Sequence, residues 1–439
     1  MKIAFVDQPI GHITPGKVCG SINMIVYEMA RRLARTAEVI VYTRRLYWQS
    51  AEEILEGVRY KRIDTRWEDR IDRRMSRLSQ LREPGTPWFL SRFYYRAYIE
   101  KIARDARREK CDVIHAYSFP QFATVLRAKN PTAKIVLNMQ CEWLHQLDRK
   151  TIDHHLNSVD RVVSCSEFLT QQVKNRFPHV ANRCITVPNG ADREKFALDP
   201  GQRNSSSKRI LYTGRISPEK GVHVLIDAFS LVAAKDREAE LHLIGVDWIP
   251  PRSFFCDLSD DPIVRDLAPL WDGYLERLKA RVPAELRERV RFLGGMSQSE
   301  MTAHYARAWV AVHPSVCQEA FGMPVTEAMM SSLPVVVTAS GGMPEQVIHG
   351  KTGFIVPRNS PRALADALVT VLQDRDLRDR MGEAGRTRAL ELFSWEQVAD
   401  KMVREYDKIL ATPAPTRELG ATPAIPSPSP FVDLPQKTA

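Results

Sequence analysis

Short apolar runs alternate with amphipathic segments along most of the chain, and this alternation predicts strands and helices in turn. The apolar runs of the first half have the length of buried strands and lie at residues 2–6, 39–42, 112–115, 135–139 and 161–164. Between the first two runs, Ile25, Met29 and Leu33 recur at helical spacing, so we expect a helix over residues 21–35. A strand–helix–strand start of this kind is typical of a parallel sheet with helices packed on its faces.

The alternation begins again in the second half of the chain. The strands predicted there lie at residues 210–213, 241–245, 290–295 and 333–338. Helices are predicted to begin near Val222, Pro361 and Trp395. Because a chain of 439 residues is too long for one compact core, we expect two α/β domains of roughly 200 residues each.

Changes in composition predict the limits of the domains. We expect a first domain, a linker, a second domain, a terminal helix and a tail at residues 1–195, 196–208, 209–390, 391–411 and 412–439 respectively. Ser205 to Ser207 are the flexible part of the predicted linker. The tail is rich in Pro, Ala, Thr and Ser, so it cannot bury a core and is predicted to be disordered.

The overall composition is that of an ordinary globular protein, with 44% hydrophobic and 26% charged residues. No apolar run reaches the roughly 18 residues of a membrane span, and the N-terminal segment becomes polar too early for a signal peptide. The seven cysteines are scattered and form no C-x-x-C pair. We therefore expect reduced thiols, no zinc site and a cytoplasmic location.

Residues 59–110 hold most of the excess positive charge of the chain. This segment has 16 Lys and Arg against 8 Asp and Glu, while the whole chain has a formal net charge of +10. Aromatic residues, Trp67 and Trp88 among them, are interleaved with the basic ones. The arginines that fall at helical spacings of three and four are Arg66, Arg70, Arg73, Arg74 and Arg77.

Three interpretations of this basic and aromatic segment differ in the partner that they imply. Basic and aromatic residues together suit an anionic membrane surface or a phosphate-bearing acceptor. At a membrane, Trp67 and Trp88 are predicted to lie at the depth of the lipid headgroups. They also suit nucleic acid, which we do not expect as a partner here. A solvated helix face over a buried aromatic stripe requires no partner, and both this interpretation and the membrane surface stay open.

The segment at residues 313–345 carries the strongest candidate chemistry. Glu319 and Glu327 lie eight positions apart, and Pro324 between them suits the first turn of a helix. We therefore expect Glu319 in a loop, Glu327 on the first turn or so of a helix, and another helix after Gly342. Helix N-termini bind phosphate through unpaired N–H groups, and carboxylates accept hydrogen bonds from sugar hydroxyls. Either glutamate alone is typical of a surface charge, but the whole segment favours a ligand with phosphate and sugar parts.

A second candidate lies at residues 210–221, where a strand, a Gly-containing loop and a helix follow one another. After Gly214, the cations Arg215 and Lys220 stand five positions apart. A guanidinium can donate to two phosphate oxygens at once, and an ammonium supplies a point charge. One exposed Arg is ordinarily a surface charge, whereas the full string favours a phosphate site.

The segment at residues 313–345 resembles, nearly position for position, the Glu–seven residues–Glu element of the retaining glycosyltransferases of family 4. The resemblance extends from Met1 to about Leu410. It implies the GT-B fold, in which two doubly wound Rossmann-like domains face an interdomain cleft. It also implies that the first domain is on the acceptor side and that the terminal helix crosses back to it.

The resemblance implies a role for each matching residue. Glu319 approaches the donor sugar, and Glu327 approaches the ribose of the nucleotide. Arg215 and Lys220 clamp the diphosphate leaving group. The remaining donor-binding positions that the resemblance implies are Gly20, Gly214, Gly295, Met296, Phe321, Gly322 and Met323.

The acceptor side departs from the pattern of the family. Gln140 stands about where the family usually has a histidine that faces the sugar and the acceptor. A glutamine can donate and accept hydrogen bonds but cannot titrate. His115, Glu142 and His145 follow or end predicted strands, where ligands bind in such sheets, so we expect acceptor-side roles among them.

The implied substrate is a UDP- or GDP-linked sugar, with no metal and no other cofactor. Asp374 and Asp376 form an Asp-x-Asp match, but they lie in a connector between predicted helices and are interpreted as solvated charge. The glycines of the first loop do not match G-x-G-x-x-G, and no acidic residue follows the second strand at the dinucleotide position. This pattern argues against a nicotinamide enzyme.

We therefore expect a retaining hexosyltransferase that moves a sugar from a nucleotide-sugar to a glycan or lipid-linked acceptor. It would act in the cytoplasm, at the inner face of the cell membrane if the basic segment binds lipid. The alternatives are a nucleotide-sugar epimerase of the same fold, which needs no acceptor, and a non-catalytic sugar-binding scaffold. The combination of two carboxylates with two cations argues against the scaffold.

Overall fold

The computed structural model describes residues 1–14, 20–78, 85–197 and 208–412. The predicted flexible serines of the linker and the tail after Thr412 lie outside these residues, as does the side chain of Arg77. Within them the chain alternates between strands and helices, as the hydrophobic pattern predicts, because each apolar run is covered by an amphipathic helix.

Fourteen strands are found in the described part of the chain. They are β1 Lys2–Val6, β2 Glu38–Arg44, β3 Glu52–Leu55, β4 Val58–Ile63, β5 Val113–Tyr117, β6 Lys134–Met139, β7 Arg161–Ser164, β8 Cys184–Thr186, β9 Lys208–Thr213, β10 Ala239–Ile244, β11 Val290–Gly294, β12 Val310–His313, β13 Val335–Thr338 and β14 Gly353–Val356.

Sixteen α-helices accompany these strands within the described ranges. They are α1 Ser21–Leu33, α2 Arg66–Leu78, α3 Arg96–Arg108, α4 Pro120–Lys129, α5 Trp143–Gln146, α6 Arg149–Leu156, α7 Glu167–Arg176, α8 Val222–Lys235, α9 Pro262–Arg265, α10 Tyr274–Arg281, α11 Gln298–Arg307, α12 Met323–Met330, α13 Met343–Gln346, α14 Pro361–Gln373, α15 Arg375–Leu392 and α16 Trp395–Ala411. None of these helices combines the length with the apolar composition that crossing a membrane requires.

The strands form two separate sheets. The first has the order β3-β4-β2-β1-β5-β6-β7-β8 and is parallel except for the antiparallel β3–β4 pair. The second has the order β11-β10-β9-β12-β13-β14 and is parallel throughout. In each sheet the order reverses once, between β1 and β5 and between β9 and β12. Ligands bind beyond the carboxyl ends of the strands at such reversals.

Both faces of the sheets are covered, as a doubly wound fold requires. Along β1, Ile3 and Phe5 belong to one apolar cluster, while Ala4 and Val6 belong to the cluster on the opposite face. This alternation follows from the period of two in side-chain direction along a strand. The prediction of two doubly wound Rossmann-like domains is therefore confirmed.

The terminal helix α16 packs on the first sheet, although it follows the second domain in the chain. Trp395, Met402 and Tyr406 are buried in the same cluster as β1 and α1. Arg32 Nε donates to Glu396 Oε1 at 2.9 Å and ties α1 to the start of α16. The helix therefore covers one face of the first domain.

The basic segment forms the predicted helix α2, but its aromatic residues do not all reach the surface. Trp88 is only 7% exposed, and its indole N–H donates to Asp72 Oδ1 at 3.1 Å. Tyr94, Tyr95 and Tyr98 are buried as well. The expectation that Trp88 lies at the depth of lipid headgroups is therefore wrong, since this ring belongs to the core. Trp67 is 53% exposed.

Candidate active site

Three loops of the second domain meet at its topological reversal. They follow β9, β12 and β13 and span residues 214–221, 314–322 and 339–342. Because the three strands are parallel, their carboxyl ends lie at one edge of the sheet, and the loops face the first domain there. The loop glycines permit close approaches: a Cβ atom on Gly221 would lie 2.1 Å from the carbonyl oxygen of Pro314.

Glu319 and Lys220 are brought together from two of these loops. The Lys220 ammonium and the Glu319 carboxylate form a partly buried salt bridge. Ser315 Oγ donates to the same Glu319 oxygen at 3.1 Å, and His313 Nε2 lies 3.6 Å from it. The backbone N–H of Glu319 donates to Ser340 Oγ at 2.9 Å. Both the carboxylate and the backbone of this glutamate are therefore held by neighbouring residues.

The charge state of this pair follows from its surroundings. Burial alone would raise the pKa of Glu319, but the Lys220 ammonium and His313 outweigh burial and hold that pKa below its ordinary value. Burial would lower the pKa of Lys220, and Glu319 instead keeps it raised. The site therefore contains an ionised carboxylate beside a permanent cation.

Arg215 lies on the same edge, beside the first loop. Its Nη2 donates to Glu219 Oε1 at 2.9 Å, and Ser217 Oγ donates to the same oxygen at 2.7 Å. The guanidinium also stacks over the ring of Trp248 at 5.1 Å from the centroid. Arg215 is only half-buried, so its remaining N–H groups can reach a ligand in the cleft.

Glu327 lies on the second turn of α12, slightly later in the helix than predicted. Gly322, in the left-handed region with φ 91°, occupies the N-cap position of this helix. Tyr305 Oη and Gln298 Nε2 each donate to the Glu327 carboxylate at 3.1 Å. Burial raises the pKa of Glu327 to about 7, against the lowering effect of these two hydrogen bonds. A carboxyl group held in this way is positioned to accept from a hydroxyl.

The other predicted donor-binding residues lie at the ends of strands and at the starts of helices. Gly20 is exposed at the start of α1, in the left-handed region with φ 93°. Gly295 and Met296 follow β11, and Gly214 directly follows β9. Met323 packs against apolar clusters of both domains.

Phe321 does not present its ring to the cleft. The side chain is 4% exposed and packs against Phe393, with ring centroids 5.9 Å apart. Its carbonyl oxygen accepts from Gln346 Nε2. The Phe321 ring therefore belongs to the core, since an apolar ring beside α15 is better buried than exposed, and a donor contact at this position through the backbone stays a prediction.

His115 does not reach the acceptor side of the cleft either. It lies within β5 rather than beyond its end, is fully buried, and its Nδ1 is paired with the hydroxyl of Tyr406 on α16. Burial lowers the pKa of His115 to about 3, so the ring is neutral. The structure thus corrects its predicted acceptor-side role to a packing contact beneath the terminal helix.

Gln140 and Glu142 do lie at the carboxyl end of β6, as predicted. Gln140 Nε2 donates to Asn138 Oδ1 at 2.7 Å, and Gln140 Oε1 accepts from Asn189 Nδ2 at 2.8 Å. The glutamine is therefore held in place by two asparagines. Burial raises the pKa of Glu142 to about 7, and the nearby Asp261 carboxylate adds to this shift against a hydrogen bond from Gln172.

Several residues of the site carry no recognisable signal in the sequence. Tyr305 and Gln298 hold Glu327, and Ser340 holds the backbone of Glu319. Glu345 links the two domains. Its carboxylate accepts hydrogen bonds from the backbone N–H groups of Glu167 at 2.8 Å and Phe168 at 2.7 Å. A side chain of the second domain thus caps α7 of the first domain across the cleft.

No group of His, Cys, Asp and Glu side chains in the described ranges has the arrangement of a metal site. In particular, Asp374 caps α15 by accepting from the N–H of Leu377 at 2.8 Å. The Asp-x-Asp match therefore has a structural explanation at a helix start.

Comparison with known proteins identifies the family. The model of the family described as Glycosyltransferase Family 4 matches residues 22–195, and that of Glycosyl transferases group 1 matches residues 194–388. Together the two matches run through both domains without a gap. The chain belongs to these glycosyltransferases and has the GT-B fold.

Individual relatives agree with this assignment. Spore coat protein SA of Bacillus subtilis is 23% identical over 93% of this chain and 100% of its own length. A D-inositol 3-phosphate glycosyltransferase of Corynebacterium glutamicum is 30% identical over 55% of each chain. The crystal structure of Anabaena HepE in complex with UDP and glucose has a TM-score of 0.64 at 19% identity, covering 93% of this chain and 99% of that one. This last likeness shows the shared fold.

Proposed function

We propose that the protein transfers a hexose from a nucleotide-diphosphate sugar to a glycan or lipid-linked acceptor, with retention at the anomeric carbon. The observation that carries the proposal is the meeting of Lys220, Glu319 and Arg215 at the cleft edge of the second sheet. Two cations and a carboxylate at one strand edge suit a diphosphate joined to a sugar.

In the proposed reaction, the bond between the anomeric carbon and the leaving phosphate oxygen breaks while the acceptor oxygen bonds to that carbon on the same face. Negative charge grows on the diphosphate, and Arg215 and Lys220 stabilise it. The departing phosphate oxygen takes the proton of the acceptor, so no protein nucleophile is needed. Glu319 contacts the hydroxyls of the donor sugar, and Glu327 accepts from the ribose.

The donor is proposed to be UDP- or GDP-linked. The charge stabilisation is assigned to Arg215, Lys220 and neighbouring N–H groups, and the proposal requires no metal ion. The glycine-rich strand ends at Gly214 and Gly295, with Met296, are proposed to contact the nucleotide, and Gly20 and Gly322 to let backbone approach the donor. These roles follow from the resemblance to the family and from the position of each residue at the cleft.

A panel of nucleotide-sugars tests the donor assignment. A ligand at about 100 times its dissociation constant stabilises a protein by roughly 2.7 kcal/mol, which a melting curve detects. We expect one of the UDP- or GDP-sugars to raise the melting temperature and to be slowly hydrolysed, while the matched control Lys220→Met shows little of either. Conversion of the donor into a second nucleotide-sugar would indicate an epimerase, and stabilisation without any turnover would indicate a scaffold.

We also propose that α2 holds the enzyme at an anionic membrane. The helix exposes Arg70, Arg73 and Arg74 together with the apolar side chains of Trp67 and Ile71. Each basic residue close to an anionic surface contributes about 1 kcal/mol, and this contribution falls as salt rises.

Vesicle co-sedimentation tests the membrane proposal. The protein should pellet with anionic vesicles at low salt, less at high salt, and little with neutral vesicles. Reversing Arg70 and Arg74 to Glu should abolish pelleting, whereas reversing the exposed Arg237 and Arg287 of the second domain should not. Equal pelleting on neutral and anionic vesicles, or none on either, would refute the proposal.

A further inference from the structure

The loop after β10 forms an insertion that leaves the second domain. We call residues 247–262 the cleft insertion. Its base is fixed to the second domain at several points. The indole N–H of Trp271 donates to the Pro250 carbonyl at 2.7 Å, and Arg358 pairs with Asp261 at 2.6 Å. Arg358 also donates to the Val316 carbonyl at 2.9 Å, which links the cleft insertion to the loop that carries Glu319.

The tip of the cleft insertion crosses to the first domain. The ring of Phe254 packs edge-on against Phe89, with centroids 5.2 Å apart, and against Trp143, with centroids 5.8 Å apart. Phe89 and Trp143 themselves stack at 4.4 Å. Aromatic pairs at these distances favour a defined mutual geometry, so Phe254 fixes the cleft insertion against the first domain.

A cavity of about 310 Å³ lies between the two domains and is lined in part by the cleft insertion. The first domain lines it with Glu142, Gln172 and Arg176, and the second with Asp260 and Gln318 among others. Gln318 directly precedes Glu319, so the cavity shares a loop with the donor site. Its volume is at the small end of the range for ligand sites, roughly 300–1,000 Å³, and suits one sugar ring.

The lining of this cavity has more carboxyl groups than cationic groups. Glu142 and Asp260 contribute carboxylates, and the buried Oε1 of Gln172 has no partner among the described residues. Both Nη atoms of Arg176 donate to backbone carbonyls, those of His145 and Leu147. Two of the three guanidinium nitrogens are therefore occupied by the backbone, whereas the buried Nε has no hydrogen-bond partner among the described residues.

We propose that the cleft insertion completes the acceptor subsite of the proposed glycosyltransfer and that this subsite selects an uncharged, hydroxyl-rich ring over a phosphorylated one. Hydroxyl groups can donate to carboxyl oxygens and to an unpartnered amide oxygen, whereas a phosphate would face the like charge of Asp260. The inference rests on the proposed function, because it assumes a donor bound beside Glu319.

The test compares matched acceptors with the full-length protein. The uncharged probes are methyl α-glucoside, methyl α-mannoside and myo-inositol, and the charged ones are glucose 6-phosphate, mannose 6-phosphate and inositol 1-phosphate. With the nucleotide-sugar that the protein hydrolyses, we measure donor consumption and identify the product by mass spectrometry. Uncharged probes should accelerate donor consumption and become glycosylated, and the phosphorylated probes should do neither.

Two aspartates of the cleft insertion form a matched pair for substitution. Asp260 and Asp257 are both exposed, and each pairs with a nearby arginine, at 2.8 Å and 3.0 Å respectively. Only Asp260 lines the cavity. Asp260→Lys should lower the preference for uncharged over phosphorylated probes by roughly twofold to tenfold, while Asp257→Lys should leave it unchanged.

The outcomes separate this inference from the proposed function. A preference for phosphorylated probes, an equal effect of the two lysine substitutions, or no response to any uncharged probe would each overturn the inference while donor hydrolysis continued. If the proposed function is wrong, the result is different: the wild-type protein neither binds nor consumes any nucleotide-sugar.

Discussion

The two sides of the cleft hold their central carboxylates in opposite ways. On the second domain, Glu319 is paired with Lys220, and its pKa lies below the ordinary range. On the first domain, Glu142 has a glutamine and an aspartate as neighbours, and burial raises its pKa to about 7. A glutamate side chain is thus held as an anion on the second-domain side, whereas the glutamate on the first-domain side has a pKa near neutral pH.

This difference agrees with the proposed separation of donor and acceptor sides across the cleft. A permanent ion pair suits the proposed donor side, where charge on a diphosphate must meet prearranged partners. A carboxyl group close to neutrality suits contacts with hydroxyls, because it can both donate and accept hydrogen bonds. Substitutions on the two sides should therefore change different measurable quantities.

The largest effect is expected from Lys220→Met on the donor side. Removing one preorganised donor to developing charge typically lowers kcat by about 10²- to 10³-fold. We expect a loss of this size in donor hydrolysis, measured by release of nucleoside diphosphate. Lys235→Met, which removes a lysine from an exposed pair with Asp366, is the control and should leave the rate unchanged. A Lys220 variant that keeps most of its rate would contradict the assignment.

The next effect concerns Glu327 and Glu319, which the sequence motif groups together. Glu327→Ala should weaken nucleoside diphosphate binding by about 10-fold or more as well as transfer, since a ribose contact exists before the transition state. Glu319→Ala should lower turnover more than nucleotide affinity. Calorimetric titration of both variants with UDP and GDP distinguishes the roles. Wild-type affinity in Glu327→Ala would show that the ribose role is wrong.

A smaller effect is expected in the pH dependence of stability, on the first-domain side. The folded pKa of Glu142 is raised to about 7, so the stability that its protonated form provides is present below pH 4.5 and lost as the pH rises through 7. Glu142→Gln cannot ionise, and the variant should gain on the order of 2–3 kcal/mol over the wild type between pH 5 and pH 8.

Denaturant unfolding of both proteins at pH 5 and pH 8 measures this difference. Glu327 also titrates near pH 7, but it is present in both proteins and cancels in the comparison. If the two proteins lose stability in parallel over this range, Glu142 has an ordinary pKa and the contrast with Glu319 disappears.

The smallest effect is expected far from the cleft. Reversing Arg70 and Arg74 to Glu changes only the exposed side of α2, which contacts neither Lys220 nor Glu319. Donor hydrolysis in solution should stay within about twofold of the wild type, because exposed charges contribute little beyond the screening length. A loss of hydrolysis without vesicles would show that α2 affects the donor side.

The second-domain side of the cleft could be predicted from the sequence because each of its parts has a local signal. The loop with Glu319, the proline at the start of α12 and the cations after β9 all have local signals, and the structure brings Lys220 and Glu319 into contact. Strand periodicity likewise predicted both parallel sheets. In each case a short-range pattern identifies the elements, and the parallel sheet then brings their loops together.

The acceptor side could not be predicted to the same extent, because its contacts join distant residues. The burial of His115 depends on Tyr406, which lies on a helix that returns to the first domain. Trp88 is buried in the apolar cluster of the first domain, where it packs edge-on against Tyr94, and Phe254 meets Phe89 only across the cleft. Polar residues at strand ends are alike in sequence, and tertiary packing decides which of them face the ligand.

The stereochemistry of donor hydrolysis tests the central claim most directly. With an α-linked donor such as UDP-glucose or GDP-mannose, proton NMR of the released sugar, recorded before mutarotation, identifies the anomer that forms first. Retention predicts the α anomer, since the incoming oxygen arrives on the face that the diphosphate leaves. If the β anomer appears first, the incoming oxygen attacks from the opposite face, and the roles given to Glu319, Arg215 and Lys220 are contradicted.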